Sequence, residues 1–110
     1  MVTRKELIEE IIKESYKFSI EKYRGVMFVP IREIKPKLMK KFKLNRFKFD
    51  KLLLSEGEPF FHEDGLGLSR CGGYQSSRLN YVSSVKEHTS FMNSFCFFDI
   101  NFEVAKKLLK

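Results

Sequence analysis

The sequence predicts an α+β fold: three helices and a small antiparallel sheet, with extra C-terminal strands and a short terminal helix. Three observations carry this. The first half repeats apolar residues at helical spacing between recognisable caps. The second half breaks into short apolar runs set among Gly, Asn, Asp and Ser. The chain has 110 residues, of which 43% are hydrophobic and twelve are Phe, enough for the core of one domain spanning residues 1–110.

Thr3 and Glu6 form a capping-box pattern, each side chain serving a backbone N–H of the first turn. Leu7, Ile8, Ile11, Ile12 and Tyr16 continue as one apolar stripe, so a first helix is expected to about Lys22, with Gly25 as its stop. Val26-Met27-Phe28-Val29 reads as a short strand bounded by Pro30. Pro30 suits the first position of the next helix, whose face is Ile31, Ile34, Leu38 and Phe42. Pro36 lacks a backbone donor and disfavours helix at Lys35, so this helix either starts near Lys35 or bends. Lys43-Leu44-Asn45 is a turn with Asn45 as N-cap. The next helix, Arg46 to about Ser55, buries Phe49, Leu52 and Leu53 and stops at Gly57.

Beyond it, Pro59–His62 and Leu66–Arg70 read as the arms of a hairpin around Asp64-Gly65. Residues 71–78 are flexible by composition. Leu79, Tyr81 and Val85 fit a strand of alternating sides, and Phe91–Ile100 a strand buried on both faces. Asn101 caps a final helix carrying Phe102, Leu108 and Leu109.

Charge is distributed unevenly over these elements. Between Arg32 and Lys51 there are nine basic residues and two acids, Glu33 and Asp50, which accounts for the whole formal net charge of +7. So local an excess predicts an electropositive surface for a polyanion. Lys outnumbers Arg there by seven to two. Lysine meets phosphate as a point charge, whereas arginine is the bidentate reader of guanine, so backbone binding with weak sequence preference is expected.

Helix, strand, helix, turn, helix, hairpin is the order of a winged helix-turn-helix domain, and residues 3–70 resemble one. Phe28-Val29-Pro30-Ile31-Arg32-Glu33-Ile34-Lys35-Pro36-Lys37-Leu38 looks like the start of its second helix. Asn45-Arg46-Phe47-Lys48-Phe49-Asp50-Lys51-Leu52-Leu53-Leu54 looks like its recognition helix. The resemblance implies a winged-helix core, with 71–110 as extended wing, added strands and terminal helix. It also implies duplex DNA as partner, the second helix of the pair in the major groove and the wing on the backbone. Arg46, Lys48 and Lys51 would face DNA from that helix. Arg32, Lys35, Lys37, Lys40, Lys41 and Lys43 would meet phosphates, and Arg70, Gln75 and Arg78 would come from the wing. Transcriptional regulation or chromosome maintenance is the implied setting. A homodimer paired through Asn101–Lys110 would match two half-sites.

A rival reading comes from Phe47 and Leu54, which fall on the outward side of the last helix of the pair and suit a protein contact, or coverage by the C-terminal segment. The domain would then be an interaction module or a subunit of a larger complex. Other chemistry finds little footing. His62, Cys71, His88 and Cys96 are spaced by 9, 17 and 8 residues, without the short ligand pairs of structural zinc sites. Gly65-Leu66-Gly67 and Gly72-Gly73 make no phosphate-binding loop. Glu56, Glu58, Glu63 and Asp64 read as a solvated loop, so no enzyme, cofactor, metal or small-molecule substrate is expected. The Phe91–Phe98 run has no Lys or Arg beside it, which favours core packing over base stacking. Two cysteines are expected as free thiols, one buried. No apolar run approaches the roughly 20 residues that span a bilayer, and a cytoplasmic, non-membrane protein is expected.

Overall fold

The computed structural model describes residues 1–55, 65–70, 77–83 and 94–110. Among them are helices α1 (Arg4–Lys22), α2 (Ile31–Phe42), α3 (Arg46–Leu53) and α4 (Phe102–Leu108). The strands are β1 (Phe28–Pro30), β2 (Leu66–Arg70), β3 (Val82–Ser83) and β4 (Ser94–Ile100). The α+β class read from sequence is observed.

The capping box forms as expected. Thr3 Oγ1 accepts from the Glu6 N–H at 3.1 Å, and Glu6 Oε1 accepts from the Thr3 N–H at 3.1 Å. Leu7, Ile8, Ile11 and Ile12 are buried. The end of α1 uses two left-handed residues, Arg24 (φ 56°) and Gly25 (φ 72°), and the Gly25 N–H turns back to the Ser19 carbonyl at 2.8 Å. Such a backbone costs glycine nothing and arginine about 1–2 kcal/mol.

Of the two courses expected for α2, the late start near Lys35 is not the one observed. The helix runs from Ile31 through Pro36 to Phe42, with Pro30 as the residue before its first turn. The donor that Pro36 lacks would have served the Arg32 carbonyl. Arg32 is exposed in that first turn, where water can take the donor's place. Helical backbone at Lys35, disfavoured before proline, is held by contacts of the Lys35 side chain itself, described below.

The sheet is organised around β4. β1 and β2 flank it, both antiparallel, and β3 pairs with its start. β2 therefore finds its partner in β4. The expected first hairpin arm, Pro59–His62, lies outside the described residues, as do Val85, Gln75 and Gly57. The strand expected over Leu79–Val85 is limited to Val82–Ser83 among the described residues. β4 is not uniformly buried on both faces. Phe98 and Ile100 are buried on one side, whereas Phe97 and Asp99 on the other are half-buried.

α4 is capped by Asn101, whose side chain accepts from the Glu103 and Val104 N–H groups. The helix lies on α1 through Ala105 and an edge-on contact of Phe102 with Tyr16, ring centres 5.1 Å apart. Gly65 makes room for it: its φ is 78°, and a Cβ there would stand 2.6 Å from Val104 Cγ1. One core cluster joins α1, α2 and α3 to the sheet and to Ala105 of α4. Arg4 Nε donates to the Leu53 carbonyl at 2.8 Å, tying the start of α1 to the end of α3.

Cys96 is disulfide-bonded, which corrects the expectation of a free thiol there. The register sets Arg70, the end of β2, opposite Phe95, the neighbour of Cys96. Cys71 lies outside the described residues. Disulfides are rare in reducing compartments, so the bond weighs against taking the cysteines as a sign of one. No helix among the described residues is long and apolar enough to cross a membrane.

Candidate nucleic-acid interface

The turn between α2 and α3 fixes the geometry of the basic region. Lys43 closes α2 in a left-handed conformation (φ 56°), and the Leu44 N–H donates to the Met39 carbonyl at 2.9 Å. Asn45 Oδ1 then accepts from the N–H groups of Phe47 (3.0 Å) and Lys48 (2.8 Å), starting α3 after a turn of three residues. Side-chain capping of this kind satisfies two donors that the first turn would otherwise leave open.

Eight of the nine cations between Arg32 and Lys51 are exposed; Lys35 is the exception. Lys41 is partly spent, donating to Glu10 of α1 at 2.9 Å, a hydrogen bond that raises its pKa. Arg32 lies 3.9 Å from Glu33. Lys37, Lys40, Lys43, Arg46, Lys48 and Lys51 have no ion pair among the described residues. Lys43, Lys48 and Lys51 converge around one groove, while Lys37 and Lys40 lie one turn apart on α2. Arg70 is exposed at the end of β2, its guanidinium 5.1 Å from the Phe95 ring, and lines none of the hollows beside α3.

Two residues placed by sequence among the phosphate contacts are inside the protein. Lys35 is 0% exposed. Its ammonium donates to Asp50 Oδ1 at 2.7 Å and to the carbonyls of Arg78 (2.6 Å) and Tyr81 (2.8 Å). Arg78 is also buried. Its Nε donates to Asp50 Oδ2 at 2.7 Å, and a terminal nitrogen donates to the Ser83 carbonyl at 2.8 Å. The Ser83 N–H completes the set on Asp50 Oδ2 at 3.2 Å. The arrangement is an internal Lys–Asp–Arg triad that fastens the Ser77–Ser83 segment to α2 and α3. Neither cation can reach a phosphate without breaking it.

Burial governs the titration of the triad. It lowers the Lys35 ammonium from 10.5 to about 8, against the raising pull of Asp50. It raises the Asp50 carboxyl, against the lowering pull of Lys35 and Arg78. Charged groups removed from water lose solvation that a partner returns only in part.

Phe47 and Leu54 are half-buried, not freely presented. The Phe47 ring lies 5.1 Å from the Arg78 guanidinium and 5.5 Å from that of Arg46. Both apolar residues wall a cavity of about 340 Å³ that also touches Asp50 and Arg78. Phe47 thus carries the Arg78 guanidinium against its ring and stays half-buried.

The residue missed from sequence is Asp50, the centre of the triad. Its signal was present: Asp50 sits beside Phe49 and three residues before Leu53, on the buried face of α3. Comparison with protein-family models, with curated proteins and with solved structures finds no match.

Proposed function

We propose that the protein binds duplex DNA, mainly through phosphates, using the exposed cations of α2, α3 and the turn between them. The observation that carries this is the set Lys37, Lys40, Lys43, Arg46, Lys48 and Lys51, exposed and without an acidic partner among the described residues. Like charges at helical neighbours cost a few tenths of a kcal/mol per pair, about 0.2–0.5, and a polyanion relieves that cost. The winged-helix reading is supported by the order α1, β1, α2, α3, β2 and by the position of β4 between β1 and β2. Transcriptional regulation or chromosome maintenance is the setting we propose for it. The protein-module reading through Phe47 and Leu54 has less to stand on, because Arg46 and Arg78 lie against the Phe47 ring. A dimer through α4 is not part of the proposal, since that helix lies on α1.

The test is fluorescence anisotropy with a labelled random-sequence duplex at two salt concentrations about fourfold apart. Six neutralised phosphates predict a fall in affinity of about a thousandfold across that interval. Lys40→Glu combined with Lys48→Glu should weaken binding further at the lower salt. No binding at low salt, or a double variant that binds like the wild type, would remove the proposal.

A further inference from the structure

The three cations that converge at the α2–α3 turn surround something a nucleic acid has no use for. Lys43, Lys48 and Lys51 rim a groove of about 580 Å³ whose floor includes Phe42, Leu44 and Leu52. These three apolar side chains are half-buried, packed on the core from one side and facing the groove from the other. No acidic residue among the described ones lines the groove. A complementary occupant has an apolar stripe for the floor and several carboxylates for the rim. We infer that this groove docks an acidic amphipathic helix of a partner protein.

The rim discriminates between occupants. Lys48 and Lys51 stand one turn apart on α3, and Lys43 enters from the end of α2. Carboxylates three or four residues apart on a helix occupy points about 5–6 Å from one another. They can answer separate lysines while apolar residues on the adjoining face fill the floor, the helix-in-groove mode of recognition. A fatty acid fits the apolar floor but brings one carboxylate to three ammonium groups. The inference stands on the groove alone and does not require the DNA reading. If both hold, a docked acidic helix covers Lys43, Lys48 and Lys51 and excludes nucleic acid from them.

The experiment uses the full chain and three probes. One is a fluorescein-labelled peptide of about 18 residues with Leu at i, i+3, i+4 and i+7 flanked by Glu. The second is a scrambled peptide of the same composition, and the third is oleate. A random-sequence duplex is titrated in parallel. The amphipathic peptide should bind, and the scrambled one should bind at least about tenfold more weakly, because losing one buried Leu contact is worth that factor. Leu44→Gln should weaken the amphipathic peptide by a similar factor and leave duplex binding unchanged, while Lys48→Glu with Lys51→Glu should weaken both ligands. The second variant changes only exposed side chains, so it remains informative if Leu44→Gln folds poorly. Equal binding of the two peptides would overturn the inference, as would binding insensitive to Lys48→Glu with Lys51→Glu. Binding of oleate with neither peptide bound would also overturn it and assign the groove to a lipid. Peptide binding without duplex binding would leave the inference standing and remove the DNA proposal; duplex binding without peptide binding would do the reverse.

Discussion

Lys35 shows how far a charge count can mislead when position is ignored. Counted by charge, it belongs with the other lysines of the basic stretch. Counted by spacing, it lies four residues after Ile31 and three before Leu38, on the stripe that faces the core. Asp50 is equally legible on the inner side of α3, so both halves of the first ion pair could be found from periodicity. Arg78 could not: it is separated from Asp50 by 28 residues and sits where composition indicates only a loop. The triad predicts a large asymmetry between neighbouring lysines. Lys35→Met leaves Asp50 with one cation and strips the carbonyls of Arg78 and Tyr81 of a donor, and should cost about 3–5 kcal/mol. Lys37→Met, at an exposed position, should stay within about 0.5 kcal/mol. Urea unfolding midpoints at pH 7 distinguish the two. The pH dependence has a definite sign. Lys35 titrates near 8 when folded and near its ordinary 10.5 when unfolded, so the unfolded chain binds more protons between these values. The wild-type midpoint should therefore rise relative to that of Lys35→Met as pH increases from about 8 toward 10.5. A parallel course of the two curves would refute the assignment.

At the level of elements, what the sequence announced was local. Thr3, Asn45 and Asn101 all act as the N-caps they were read to be, because a cap needs only the three or four residues that follow it. Pro36 misled for the opposite reason: its local penalty is offset by Lys35 contacts with α3 and with the Ser77–Ser83 segment, which no local rule contains. The seat of α4 is similarly non-local. Gly65 reads as half of an Asp-Gly turn, yet its other duty is to clear space for Val104 and to accept from the Asn101 N–H at 3.0 Å. Gly65→Ala combines a left-handed alanine with a contact that Val104 must vacate, and should cost about 1–3 kcal/mol. Pairing it with Val104→Ala should recover part of the loss. Thermal melts of the single and double variants measure this, and a double variant no better than the single would show that Val104 is not the obstacle.

Across the whole molecule, the pairing of strands was the least legible feature. A hairpin between neighbouring segments is the natural reading of Pro59–Arg70. The first arm of that hairpin lies outside the described residues, and within them the sheet depends on one late strand: β4 is the partner of β1, β2 and β3. Strand sequences state that an edge will pair, but not with what, and Phe28 opposite Asp99 is fixed only by the shared core of Val29, Phe98 and Ile100. A chain cut after Ser83 keeps α1, α2 and α3 and the whole basic stretch but loses the partner of every remaining described strand. It should lack a cooperative urea transition by circular dichroism; a sigmoidal transition like that of the full chain would show that the helices hold together unaided. The dependence on β4 also imposes an order in time. During synthesis the basic helices leave the ribosome first, while Val29 waits with its neighbours uncovered until Phe98 arrives. The basic part of the protein is thus made before the part that closes its underside, and an interrupted translation would release a cationic fragment with an adhesive apolar surface.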